Sequence, residues 1–95
     1  MKVGETVSVV TMSGEYVGKL KSLEPLTLED PRMIIQTGDG KMGFAKGIAV
    51  TGVIDPKEQI FNQYVFVCKT NDDVSEGHSS AVSGIVTAKP KIVTT

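Results

Sequence analysis

Five consecutive pieces decide the fold: VSVVTM at residues 7–12, Ser13-Gly14, EYVGKLKSL at 15–23, Glu24-Pro25, and LTLEDPRMIIQ at 26–36. β-Branched and apolar runs separated by short turn signals read as a β-meander. Gly14 supplies turn chemistry for the first hairpin. Gly18 interrupts the second strand from within, where a missing side chain marks a bulge, a bend or a close backbone approach. Alternation puts Tyr16, Gly18, Leu20 and Ser22 on one face and Val17, Lys19, Lys21 and Leu23 on the other, so the lysine face is expected in water. Asp30-Pro31 is expected to interrupt the third strand, because proline cannot donate to the ladder.

Outward from that meander, Thr37-Gly38-Asp39-Gly40-Lys41 is a strong hairpin turn, with Asp-Gly favoured where successive residues need positive φ. Residues 42–45 then form a fourth strand, Lys46-Gly47 a tight connection and 48–54 a fifth strand bent at Gly52. The reading is a mainly β, SH3-like, strongly bent five-stranded open barrel over residues 1–54, with a helix after the barrel and a C-terminal tail.

The grammar changes at Asp55-Pro56-Lys57-Glu58, where an N-cap acceptor, a proline at N1 and a glutamate at N3 form a capping box. Ile60, Phe61, Tyr64, Val65 and Cys68 follow as an apolar stripe, which predicts a helix over 55–70 packed on the barrel. Residues 64–68 are also rich in strand formers, and a strand is the competing reading. NDDVSEGHSSAVS at 71–83 is small and polar and reads as a linker or loop. Residues 84–88 and 91–94, separated by Lys89-Pro90, are short β-prone pieces able to add an edge hairpin.

At 95 residues the chain holds one core. A chain this short buries only about two-thirds of its unfolded surface, so neighbouring copies are a plausible source of stability. Ten basic and eleven acidic residues give a net charge of −1, which argues against coating a phosphate backbone by bulk charge. Cys68, the single cysteine, has no internal partner and reads as a small buried apolar group in a reducing compartment. No run reaches the roughly 20 apolar residues of a membrane span, and the N-terminus leads straight into a strand, so a cytoplasmic location is expected.

Catalytic chemistry is not expected, nor a cofactor. His78, the one histidine, reads as a solvated loop residue, Asp72 and Asp73 are adjacent and diverge, and no metal-ligand spacing occurs.

The glycine-punctuated meander together with GFAKGIAVTGV at 43–53 resembles the two signatures of the Sm-like (LSm) family, in which a basic residue and glycine precede a strand that pairs with the next subunit. The resemblance covers about residues 4–54 and implies a homo-oligomeric ring of about five to seven copies, closed by edge-strand pairing. It implies interface positions at Met42, Phe44, Ile48, Val50 and Val53. It also implies single-stranded RNA held near a pore by Glu24, Thr27, Lys46 and Gly47, with Tyr16, Phe44, Lys19 and Lys21 as secondary contacts. The chain departs from the family where an asparagine is usual, at Thr27 or Leu28, and where Ile48 and Ala49 replace a polar pair. The later residues look like small Sm-like proteins of marine phages, which would imply a bacterial host cytoplasm, host or phage protein partners and a role in RNA processing or turnover. The second reading is a non-catalytic protein–protein assembly module whose docking surface is the 60–68 face or the tail.

Overall fold

The computed structural model describes residues 1–46, 49–83 and, as backbone, 92–94. The meander forms as expected, from β1 (Thr6–Thr11), β2 (Gly14–Leu23) and β3 (Leu26–Gln36), all antiparallel. At the first turn the Thr11 hydroxyl accepts the Gly14 N–H at 3.1 Å and donates to the Gly14 carbonyl at 2.8 Å. Alternation gathers Val7, Val9, Tyr16, Leu20, Leu26 and Leu28 on one face, where they pack with Phe61, Met33 and Val67 as the main core.

Two register shifts bend this sheet: the first falls at Gly18 and Asp30-Pro31, where a bend is expected, and the second, between Leu20 and Ser22, has no counterpart in the sequence reading. Tyr16 and Val17 face Met33 and Arg32, whereas Lys19 and Leu20 face Glu29 and Leu28, so the extra residue of the first bulge lies on β3, at Asp30-Pro31. Asp30 takes φ 49° there. β3 is therefore bent at this point but not interrupted. Gly18 sits opposite the bulge, and a Cβ on it would lie 2.9 Å from the Glu29 carbonyl oxygen and 3.0 Å from Leu28 Cβ. The glycine is a site of close approach, and the surplus residue belongs to its neighbour strand.

The bend lets the two halves of β3 take different partners. Its first half pairs with β5 (Glu58–Phe61) and its second with β4 (Met42–Ala45), both antiparallel. The β3–β4 hairpin falls where the sequence places it, with the Thr37 N–H donating to the Lys41 carbonyl at 2.9 Å, but of Asp39 and Gly40 only the glycine takes a positive φ, 84°. After β5 the chain crosses to β6 (Phe66–Lys69), which pairs with β1. Residues 58–69 thus run from one side of the meander to the other and curl the sheet into a small, barrel-like, incompletely closed fold.

The helix expected over 55–70 is absent, and strands β5 and β6 stand in its place. The intended cap groups are engaged elsewhere: Asp55 faces the buried Arg32 guanidinium at 3.1 Å and Glu58 pairs with Lys21. Once those carboxylates serve tertiary contacts, the strand preference of residues 64–68 prevails, with β1 as a ready ladder partner. The fifth strand expected over 48–54 is also absent from its described part, residues 49–54, where the Gly52 N–H closes a turn on the Ala49 carbonyl at 3.1 Å. Gly47 and Ile48 lie outside the described residues.

The helix is found instead where a loop was expected, as α1 (Asp72–Ser83). The Asn71 side chain accepts the Val74 N–H at 2.9 Å as an N-cap, and Asp72 and Asp73 in the first turn complement the helix dipole. Val74, His78 and Ala81 recur at helical spacing and turn toward the sheet. Val74 packs on Val17 and Phe44, with Ile34, Met42 and Ala81 alongside, as a second core on the outer face of the sheet. Val17, expected on a solvated face, is completely buried for this reason, while Lys19 and Lys21 remain exposed.

Of the two tail pieces, 84–88 lies outside the described residues. The other provides β7 (Ile92–Thr94), which pairs parallel to β4. β4 therefore has a strand of its own chain on both sides and is not an open rim.

Candidate docking surface

The positions that the Sm-like resemblance marks for RNA are not gathered into one place. Glu24 is exposed on the β2–β3 turn, its N–H donating to Ser22 Oγ at 3.2 Å. Thr27 is buried, with its hydroxyl donating to the Pro25 carbonyl in the adjoining turn at 3.0 Å. Lys46 is exposed just past β4, whose last residue Ala45 is opposite Met33. Residues 28–32 of β3, including the bulge at Asp30-Pro31, separate that level from Thr27. Tyr16 packs edge-on to Phe61 inside the core, 5.3 Å between centroids, and Lys21 is paired with Glu58. Among the interface positions, Phe44 is buried under α1 with its ring edge-on to His78, Met42 is half-buried in the same layer, and Val50 and Val53 are exposed on the connection after β4.

An apolar strip lies at the other end of the sheet. Val9 points into the core, so its neighbour Val10 points out, and the register sets Phe66 opposite Val10 and Cys68 opposite Ser8 on that same outer face; Met12 stands in the turn just beyond β1. On this face α1 packs over Val17, Phe44, Ile34 and Met42, while Glu15, Lys19 and Lys21 of β2 stay exposed; beyond the helix Met12, Phe66 and Cys68 are exposed and Val10 is half-buried. Met12 is 96% exposed, Phe66 51% and Val65 58%. Cys68, expected to be buried, is exposed. Met12 and Tyr64 border a shallow groove of about 400 Å³ completed by Thr11, Ser13, Gln63 and Val65. Its lining carries no charged side chain. The nearest rim charge on β6 is Lys69, held by Glu5 at 3.4 Å.

A buried polar node braces the opposite end. His78, fully buried, lies 2.7 Å from the Asp30 carbonyl through Nε2; a carbonyl can only accept, so Nε2 carries the proton. Burial holds the imidazole below its ordinary pKa, outweighing the bond to Asp30, and the positive charges of Arg32 and Lys19 act in the same direction. Arg32 is also buried, bonded to the Pro31 carbonyl at 3.0 Å and to Asp55. Arg32 Nε and His78 Nδ1 are buried with no hydrogen-bond partner. The His78–Asp30 bond fastens α1 to the bend of β3, and Arg32 ties the same bend to Asp55. Among the described residues no cluster of three or more His, Cys, Asp or Glu side chains forms a metal-binding group, and no helix is long and apolar enough to cross a membrane.

No family model, curated protein or solved structure matches this chain significantly. The Sm-like and phage resemblances rest on the sequence alone.

Residues 64–66 of the strip fall within the 60–68 stretch that the sequence offers as a docking face, but that stretch is two strands and their connection in place of the expected helical stripe. Met12 was not legible, because a lone methionine at a turn carries no signal until the strand that flanks it is known.

Proposed function

We propose that this chain is a non-catalytic assembly module that presents the Met12–Tyr64–Val65–Phe66 strip to a protein partner. The observation that carries the reading is the group of exposed apolar side chains, Met12, Tyr64, Val65 and Phe66, at an end of the sheet away from the residues on which α1 packs. Exposed apolar side chains in a contiguous strip, uncharged at the centre, mark an interaction surface, whereas scattered ones do not. A ring that binds single-stranded RNA, as the Sm-like resemblance implies, draws support from the exposed Lys46, but Thr27 is buried with its hydroxyl engaged by the Pro25 carbonyl, and Phe44 and Tyr16 are interior. The net charge of −1 points the same way.

Selection of peptides from a displayed random library, followed by amide chemical-shift mapping, tests this. Bound peptides are expected to shift residues 11–13 and 63–68, and Met12→Asp is expected to abolish binding while the fold is kept. Labelled single-stranded RNA is titrated in parallel at low and moderate salt. Binding of RNA that is lost in Lys46→Ala, with no peptide enriched, would overturn the proposal in favour of the RNA-binding ring.

A further inference from the structure

Resting on the docking reading just given, we infer that the partner is a second copy of this chain, joined through the free edge of β6 in a two-fold symmetric antiparallel pair. β6 pairs with β1 on one side and has no strand on the other among the described residues. The Thr70 N–H donates to the Thr6 carbonyl at 3.1 Å, continuing the β1–β6 register. Antiparallel ladders alternate, so this bond turns the N–H groups of Val67 and Lys69 away from β1 toward the open side. Edge strands are normally protected by charge, proline or a covering segment. Residues 65–68, Val-Phe-Val-Cys, contain neither charge nor proline.

The choice of a like copy follows from which edges are available. β4 is enclosed by β3 and β7, so the head-to-tail pairing of a ring through β4 has no open acceptor. An isologous β6–β6 contact consumes the same edge on both copies and closes with no growing end. In antiparallel pairs, directly opposed residues share a face, so a continuous sheet requires the two-fold axis to pass through a residue. Centring on Val67 gives the Val67 and Lys69 N–H groups carbonyl partners in the other copy and sets Phe66 beside the other copy's Cys68, on the bare outer face. No register centred there opposes Lys69 to Lys69. Four paired residues with the flanking Val65 and Phe66 side chains cover on the order of 1,000 Å² across both copies, near the lower bound for a specific interface. The dimer is therefore weak and forms as concentration rises.

Sedimentation equilibrium of the full chain, from low micromolar to near-millimolar concentration, reads the association. The expected result is a rise in mass from one copy to two. Phe66→Lys, which places a charge on the edge at a half-exposed position, is expected to stay a single copy with an unchanged circular dichroism spectrum. Lys69→Pro, which removes an outward-facing N–H together with the Lys69–Glu5 ion pair, is expected to weaken the dimer in the same direction. Under mild oxidation Phe66→Cys is expected to give a disulfide-linked dimer through Cys68 of the other copy, faster than the unaltered chain links through Cys68 alone. A single copy at every concentration overturns the inference, as does a dimer indifferent to Phe66→Lys or one that the unaltered Cys68 links equally fast. If the chain stays single while peptides still shift the strip, the self-association inference fails and the docking reading stands. If neither occurs, both fail.

Discussion

His78 shows how far one side chain's role depends on its surroundings. Read as a solvated loop residue, it is in fact enclosed, with Nε2–H on the Asp30 carbonyl and a bare Nδ1 facing a site without an acceptor. Protonation would place a charge in that site beside Arg32 and within the field of Lys19, with only the Asp30 carbonyl and carboxylate to offset it. The folded-state pKa is therefore lowered. The unfolded chain binds this proton first as pH falls below the ordinary histidine value of about 6.5, so stability is lost from there down to the folded-state pKa. Thermal unfolding between about pH 7.5 and pH 5.5 is expected to show a falling Tm, and His78→Gln is expected to flatten that dependence. The lowered pKa values of Glu5 and Asp39 act below the ordinary carboxylate range and so outside this window. An equal slope in the variant would remove His78 as its source.

At the scale of elements, the exchange of helix and strand between 55–70 and 71–83 has a local and a tertiary part. The capping box at Asp55 and Glu58 is sound local grammar, but Arg32 and Lys21 claim its carboxylates, and β1 offers residues 66–69 a ladder. α1 in turn is a poor helix by composition, rich in serine and containing Gly77, and it depends on its cap and its docked face. Asn71→Ala is expected to cost about 1 kcal/mol in urea denaturation, and Asn71→Asp to restore most of it. An unchanged midpoint for the alanine variant would mean that docking against Val17 and Phe44 alone holds the helix.

For the whole molecule, apolar residues form two packed layers, and those left exposed include the strip at Met12 and residues 64–66 and, apart from it, Val3, Val50, Val53, Ile54 and Ile60. Phe44, almost completely buried between sheet and helix, is expected to cost about 3–5 kcal/mol on replacement by alanine. Met12→Lys is expected to change stability by no more than about 0.5 kcal/mol, since a residue 96% exposed has no packing to lose. Paired urea melts with equal m-values check both. A large loss in Met12→Lys would show the strip to be packed within the chain and withdraw it as a docking surface.

The sequence by itself determined the meander, the 37–41 hairpin and the sheet's bend at Gly18 and Asp30-Pro31, because turn glycines, Asp-Gly and Pro31 act through their own backbone limits and need no distant partner. It did not decide which strand carries the bulge, nor that β4 would be enclosed by β7, nor the strand assignment of 66–69. Those depend on partners tens of residues away: Val10 with Phe66, Glu29 with Glu58, Met42 with Ile92. The same holds for the surface. Whether Phe44 or Met12 faces water is settled only once α1 lies over one part of the sheet and leaves the other bare, and no local pattern records where a distant helix comes to rest.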